Sequence, residues 1–421
     1  MTSTTPDHQH GTAASSDLPH AAFASRERHF RPSPVRSVWD IPKGPDMISL
    51  AGGNPDLSGL PLEQLGATAA RLIEEQGLEV LQYGAGSGID PLREQLAAIM
   101  RRAGIEADPH DILITAGSQL GLELVTSLFC NPGDVILAES PTYVGAIGTF
   151  QGLEAEVRHI ECDDDGLVPE SLERAIAEAR AEGRTVKLLY TIPNFTNPSG
   201  RTLTAERRAS VAEICRAAGI TVVEDDPYGL VRFDGEPVPA IRANNPEVIY
   251  LGSLSKIFSP GIRIGWVLAP KHVRDRLQLL CEATIIHASI LSQHLALEYL
   301  RGDWERDLAA SVDRYRERAH AMLEALPDAM PAGTTWTTPE GGFFVWIELP
   351  EGYSADAAFE RAVDEGVIFV PGSGFLAHGN APRSLRLSFS GETPERIREG
   401  VARLGRAIAA TAGTEHAPGT E

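Results

Sequence analysis

From about residue 110 to 270, short apolar runs alternate with longer stretches whose apolar positions recur every three or four residues. The runs are Ile112–Thr115, Val135–Ala138, Ala155–Ile160, Val186–Thr191, Thr221–Glu224, Val248–Leu251 and Ile264–Ala269. They are too short for helices and rich in branched residues, which predicts strands. Between several of them lie amphipathic stretches, such as Pro169–Glu182 and Thr204–Ala218, which predict helices. The alternation predicts an α/β domain with a mostly parallel sheet. In such a sheet a ligand site lies at the carboxyl ends of the strands. Polar clusters fall there: GSQ after the first run, SPTY after the second, NFTNPSG after the fourth, DDPY after the fifth and SLSK after the sixth.

The flanks carry different patterns. Gly52-Gly53 followed by Asn54-Pro55 predicts a turn in which backbone approaches a ligand. Pro61 to Gln76 reads as a helix with Pro61 near its first turn. The Gly-rich stretch LQYGAGSGID is a loop, and Asp90-Pro91 starts a helix. Pro270 to Leu326 reads as long charged helices. The segment TTWTTPEGGFFVWIEL predicts a hairpin bending at or near Gly341-Gly342. A helix (Ser354–Glu365), a strand (Val367–Val370), a loop, a strand (Leu385–Phe389) and a helix (Pro394–Ala410) complete the pattern. There is no internal repeat.

The 421 residues are enough for two domains, and 43% hydrophobic content supports a sizeable core. A net charge of −21 argues against nucleic acid, whose phosphates such a surface repels. No apolar run approaches the ~18 residues of a membrane span. Residues 1–22 have no basic start and no apolar stretch, so they are expected as a solvated tail and not a signal peptide. His8, His10 and His20 in that tail are expected to hold no metal. Cys130, Cys162, Cys215 and Cys281 are widely spaced, which predicts reduced thiols in a cytoplasmic protein.

Candidate chemistry centres on Lys256. Only four of the 37 basic residues are lysines, and this one stands between two serines just after a predicted strand. Arginine stays protonated, whereas lysine can lose its proton and attack a carbonyl carbon. Ser253, Ser255 and Arg263 surround it with phosphate donors. A Schiff-base lysine beside a phosphate cradle describes a site for pyridoxal phosphate. Gly117, Ser118 and Gln119 stand where a helix should begin, so backbone amides and the helix dipole can hold an anion. A buried carboxylate would keep the pyridine nitrogen protonated, and Asp225 is the candidate. Asn197 and Tyr228 are candidates for the phenolic oxygen, Tyr143 for stacking on the ring, and Arg386 for a substrate carboxylate. Each has an ordinary structural reading alone: Asp225 could cap a turn with Asp226, Asn197 could shape a loop, Tyr143 could pack in the core, and Arg386 could pair with a surface acid. Together, at successive strand ends, they describe one site.

The stretches LAGGNPD, QYGAGSGIDPLRE, TAGSQLGLEL, SPTYVG, PNFTNPSG, EDDPYG, SLSKIFSPGIRIGW, GGFFVW and RLSFS cover residues 45–410. In them the chain resembles the pyridoxal-phosphate-dependent aminotransferases of fold type I, the aspartate aminotransferase superfamily. Within it, the resemblance is to the branch holding 2-aminoadipate and kynurenine aminotransferases and MocR-type regulators. It implies a large domain (81–300) with a mostly parallel seven-stranded sheet and a smaller α+β domain (301–410). Residues 31–80 would serve the small domain and the dimer, and 1–30 and 411–421 would be disordered tails. The implied activity moves an amino group from an L-amino acid to a 2-oxo acid by a ping-pong mechanism. Lys256 would carry the Schiff base and shuttle the proton, Asp225 would pair with the pyridine nitrogen, and Asn197 and Tyr228 would hold the phenolic oxygen. Ser118, Gln119, Ser253, Ser255 and Arg263 would hold the phosphate, and Gly53, Asn197 and Arg386 would meet the substrate. Tyr83 would reach the phosphate of the neighbouring subunit in a homodimer.

Dicarboxylate-specific relatives tend to carry a second arginine near the short helix after the GGNPD turn. Here LSGLPLEQLG has no basic residue before Arg71, which favours a neutral or apolar side chain in one half-reaction, unless Arg31 or Arg36 serves instead. Two rival readings are other chemistry on the same scaffold (elimination, decarboxylation or oxidation) and a MocR-type effector-binding module. The second needs a helix-turn-helix domain before residue 45, where the chain is short and polar.

Overall fold

A computed structural model of the chain describes residues 23–30, 38, 41 and 44–413. His8, His10, His20, Arg31 and Arg36 lie outside them. Strand β1 (Ile48–Ser49) leads through the GGNPD turn to helices α1 (Leu62–Val80) and α2 (Asp90–Met100). The alternating region then gives β2 (Ile112–Thr115), α3 (Ser118–Phe129), β3 (Val135–Glu139), α4 (Val144–Gly152) and β4 (Glu156–Ile160). A small hairpin, β5 (Cys162–Asp163) and β6 (Gly166–Leu167), precedes α5 (Pro169–Ala181) and β7 (Val186–Thr191). After α6 (Ala205–Ala218) come β8 (Thr221–Asp225), β9 (Ile249–Ser253) and β10 (Gly265–Leu268).

Seven of these strands form one sheet in the order β2-β10-β9-β8-β7-β3-β4. Each lies within two residues of an expected apolar run. β10 is antiparallel to both neighbours, and the other pairings are parallel. The short connection from β9 to β10 explains the exception, since a parallel return needs a crossover of about a dozen residues or more, usually helical. The reversal matters for the site. The start of β10, preceded by Arg263, shares an edge with the ends of the parallel strands. One apolar cluster joins α3, α4 and the sheet to the C-terminal part of the chain. A second lies on the opposite face, under α5 and α6.

Three helices follow: α7 (Lys271–Ile285), α8 (Ile290–Arg301) and α9 (Trp304–Ala329). The C-terminal part holds β11 (Thr335–Trp336), β12 (Phe344–Glu348), α10 (Ala355–Asp364), β13 (Val367–Ile368), β14 (Val370–Pro371), β15 (Ser384–Ser388) and α11 (Pro394–Ala409). Its antiparallel sheet runs β11-β12-β15-β14, and β1 pairs separately with β13. Arg386 sits mid-strand on β15, opposite Trp346 and Val370, and is only 2% exposed. No described helix is long and apolar enough to cross a membrane, no described acid, His and Cys groups form a metal cluster, and all four cysteines are free.

Three expectations change. Ser25–His29 forms a 3-10 turn against α4, with the Phe30 ring close over Gly152, so an ordered segment lies inside the expected N-terminal tail. At the other end Thr411 is buried, one residue inside the expected C-terminal tail. The hairpin of β11 and β12 pairs only Thr335 with Glu348 and Trp336 with Ile347. Gly341 and Gly342 instead meet the large domain: the Gly342 N–H donates to the Val231 carbonyl at 2.9 Å, and a Cβ on Gly341 would come within 2.3 Å of the Phe195 ring. These glycines permit a close contact between the segment before β12 and the loops after β7 and β8.

Candidate active site

The strand ends and the segment after β1 line an open cavity of about 380 Å³. Its walls include Gly53, Ser118, Gln119, Tyr143, Asn197, Asp225, Tyr228, Ser253, Ser255, Lys256, Arg263 and Arg386, together with Phe344. Every expected site residue except Tyr83 is therefore in one place.

At the base lies Asp225, the last residue of β8. Its Oδ2 accepts from the Tyr190 hydroxyl at 2.7 Å, while its Oδ1 is buried without a partner. Burial raises its pKa to about 7, against the lowering effect of Tyr190. The adjacent Asp226 points away: it accepts from Asn194 at 2.9 Å, the Gly229 N–H at 2.9 Å and the Tyr250 hydroxyl at 3.0 Å. Of the pair, Asp225 alone offers a free oxygen to a ligand.

Lys256 follows β9, and its Nζ donates to the Gly53 carbonyl at 2.9 Å. Burial lowers its pKa to about 8, with Arg386 and Arg263 adding repulsion. Gly53 itself admits no side chain, since a Cβ there would lie 2.5 Å from the Phe344 ring.

One end of the cavity is built for an anion. Gly117 takes a positive φ of 86° immediately before α3, leaving the first amides of that helix free. A Cβ there would strike the Arg263 guanidinium. Arg263 donates to the Ala116 carbonyl at 3.2 Å, and Ser253 Oγ donates to Ser255 Oγ at 2.8 Å. The Gln119 side-chain amide donates to the Gly145 carbonyl at 3.1 Å and Thr149 Oγ1 at 2.7 Å, which leaves its backbone N–H, in the first turn of α3, as the group available to an anion.

At the opposite end Arg386 donates to Asn197 Oδ1 at 2.8 Å and to the Ala51 carbonyl, while its buried Nε has no partner. Burial lowers its pKa to about 10. Its guanidinium lies 4.2 Å from the Phe344 ring centre and 4.9 Å from that of Phe375. Asn197 also hydrogen-bonds the Tyr228 hydroxyl, whose pKa burial raises. Tyr190 and Phe344 were not anticipated. Tyr190 lies inside β7 and looks like an ordinary core strand residue, whereas the GGFFVW stretch offered Phe344 without a role.

Tyr83 stands outside the cavity. It is 75% exposed and meets His287 edge-on at 5.8 Å.

The chain belongs to the class I and II aminotransferases, whose family model matches residues 45–404. These enzymes use pyridoxal phosphate to move an amino group between an amino acid and a 2-oxo acid. The chain is similar to aromatic-amino-acid aminotransferase 1 of Thermococcus litoralis, 40% identical over 92% of this chain and 94% of that one. It is similar to the 2-aminoadipate transaminase of Thermus thermophilus, at 36% over 92% and 96% of the two chains. The solved kynurenine aminotransferase of Pyrococcus horikoshii superposes with a TM-score of 0.87 at 37% identity, covering 93% of this chain and 97% of that one.

The cavity fits this cofactor on its own evidence. Asp225 Oδ1 awaits a donor such as a protonated ring nitrogen, and the free α3 amides with Arg263 await a dianion. Capture of the cofactor's aldehyde needs the neutral amine of Lys256. With that amine titrating at about 8, capture by cofactor-free enzyme should speed up as pH rises toward about 8 and level off above it. Lys256→Ala should abolish both the covalent link and turnover. Stopped-flow absorbance measures both; near-normal transamination by Lys256→Ala would overturn the assignment.

Proposed function

We propose that the cavity transfers the amino group of neutral, including aromatic, L-amino acids to a 2-oxo acid, with the residue roles that follow. The observation that carries the proposal is the buried amine of Lys256 beside the unpartnered oxygen of Asp225. Bound pyridoxal phosphate supplies an electron sink for the pair left when the substrate Cα–H bond breaks. Lys256 takes the proton from the α-carbon of the amino acid in the first half-reaction and returns one to the α-carbon derived from the 2-oxo acid in the second. Asp225 keeps the ring nitrogen protonated, and Tyr190 holds Asp225 in place. Tyr228 and Asn197 donate to the phenolic oxygen, and Tyr143 packs on the ring. Ser118, Ser253, Ser255, Arg263 and the first amides of α3, including that of Gln119, hold the phosphate. Arg386 and Asn197 bind the substrate carboxylate, with Gly53 lining the same space. Cytoplasmic residence is in keeping with four free cysteines.

The preference for a neutral side chain is supported by what surrounds the segment after Gly53. Arg314 and Arg318 of α9 approach it, but both are bound to Asp56, at 3.2 and 2.8 Å. Leu57 to Leu60 bring no further cation. The relative at 40% identity is named for aromatic amino acids.

We also propose a homodimer in which Tyr83 completes the partner's phosphate site. Leu78, Leu81, Tyr83 and Ile286 are exposed large side chains, and Tyr83 reaches no cofactor position in its own chain. An obligate interface on the order of 2,000 Å² or more would cover them. Sedimentation should show a dimer at assay concentrations, and Tyr83→Phe should loosen the cofactor. A stable, fully active monomer would contradict the proposal.

Arg386 reads the group common to all substrates. Arg386→Ala should therefore cost about 2–5 kcal/mol in catalytic efficiency for every amino acid and 2-oxo acid alike. Arg386→Lys should recover part, since an ammonium lacks the planar fork. Changes at Leu57–Leu60 or Leu376 should reorder substrates instead, whereas Phe375, buried against Arg386, should share the common loss. The check is kcat/KM for several chemically different amino acids in each variant. A loss confined to acidic substrates would place the carboxylate site elsewhere.

A further inference from the structure

His159 ties the edge of the large sheet to the loop that backs the substrate arginine. It lies on β4, on the same face as Val157 and toward α4. Its Nδ1 is 2.9 Å from the Glu139 backbone carbonyl on β3. Its Nε2 is 2.8 Å from the backbone nitrogen of Ala377. A carbonyl only accepts and an N–H only donates, so these partners fix the tautomer. Nδ1 carries the proton, and Nε2 is a bare acceptor.

The loop so held matters because of what precedes Ala377. Phe375 is fully buried, its ring packs on the Arg386 guanidinium, and its carbonyl accepts from the Thr142 N–H at 3.0 Å, next to Tyr143. Gln151 Nε2 approaches the Ala377 carbonyl at 3.4 Å. The peptide of Ala377 is thus gripped on both sides by the large domain. His159 Nε2 is the one grip that a proton can abolish.

We propose that His159 is a positioning residue for substrate carboxylate binding: its neutral imidazole latches the 372–378 loop against the large domain, and protonation releases the latch. A proton on Nε2 turns the acceptor into a donor facing another donor. The loop N–H then loses its partner, and the Phe375 support of Arg386 loosens. The charged and titratable groups facing the ring are few. His378 comes from the loop and Glu139 from β3; the Glu139 carboxylate is turned to Thr191 Oγ1 and the Ile192 N–H. α4 carries no charged residue, and α5 packs on the other face of the sheet. Burial and His378 hold the imidazole pKa below its ordinary value. The sign follows: the latch is closed at neutral pH and is lost as pH falls below the ordinary histidine range.

The proposal rests on Arg386 being the carboxylate ligand, and the test separates the two. KM for an amino acid and for a 2-oxo acid would be followed from about pH 8 to about pH 5 in the holoenzyme. His159→Gln keeps an acceptor near the Nε2 position and does not titrate. His159→Asn keeps the donor to Glu139 but is too short to reach Ala377. Wild type should show a several-fold rise in KM at low pH, with kcat changing less. His159→Gln should flatten that rise. His159→Asn should show the raised KM already at neutral pH, with its cofactor absorbance intact. Amide exchange at Ala377 in the wild type reads the latch without reference to Arg386, and its protection should fall with pH. Unchanged protection, or the same low-pH rise in wild type and His159→Gln, would overturn the latch. Protection that falls while KM stays flat would overturn the link to Arg386.

Discussion

The cavity holds ionisable groups out of water and leaves them only partly bonded. Asp225 has one buried oxygen unbonded, Arg386 has a buried Nε unbonded, and the amine of Lys256 meets only a backbone carbonyl. Leaving a buried polar group unsatisfied costs about 1–3 kcal/mol, and more for a charged one. Folding opposes such an arrangement, and a ligand with matching charge relieves it. The displaced titrations of Lys256 and Asp225 follow from the same burial, which brings both nearer neutrality. Catalytic proton transfer near pH 7 thus rests on a packing feature: the sheet edge and the C-terminal domain close over side chains that water would otherwise hold at their ordinary values.

That closure depends on one thin segment. Residues 50–56 run between the two sheets and are bonded to both. The Ser388 N–H donates to the Leu50 carbonyl at 2.7 Å, and Ser390 Oγ donates to the Asn54 carbonyl at 2.7 Å. Arg386 donates to the Ala51 carbonyl, and Lys256 to the Gly53 carbonyl. Farther along, Asp56 receives Arg314 and Arg318, while the Tyr315 hydroxyl accepts from the Asp56 N–H at 2.8 Å. Arg318, Ser390 and Asp56 make this bridge a fixed part of the site wall. The segment therefore couples the position of Lys256 to that of Arg386.

Much of this was legible in the chain. Most of the seven runs were legible because central strands buried on both faces are continuously apolar, a pattern that local reading detects, while the edge strand β4 (EVRHI) keeps only Val157 and Ile160 buried. The residues at strand ends were legible because five polar clusters fall together at the carboxyl ends of successive strands, where such a sheet places its ligand site. What remained hidden depends on contacts distant in sequence. β1 is two residues long and exists only because β13 accepts it. α4 contains three glycines counting its last residue, which local propensity counts against a helix. Tyr190 and His159 look like ordinary strand residues until the sheet sets one under Asp225 and the loop of Ala377 over the other. Asp225 and Asp226 were indistinguishable as a local pair until their hydrogen bonds separated them.

The central claim is that a buried carboxylate with one unpartnered oxygen, and not merely an acidic pair, drives the chemistry. The most direct measurement is the single-turnover rate of α-proton abstraction in Asp225→Asn and Asp226→Asn, each loaded with cofactor. Asp225→Asn should slow that step by about two orders of magnitude or more while leaving the fold intact. Asp226→Asn, whose partners are Asn194, Gly229 and Tyr250, should keep a near-normal rate and instead lower thermal stability. A normal rate in Asp225→Asn together with a collapsed rate in Asp226→Asn would contradict the account.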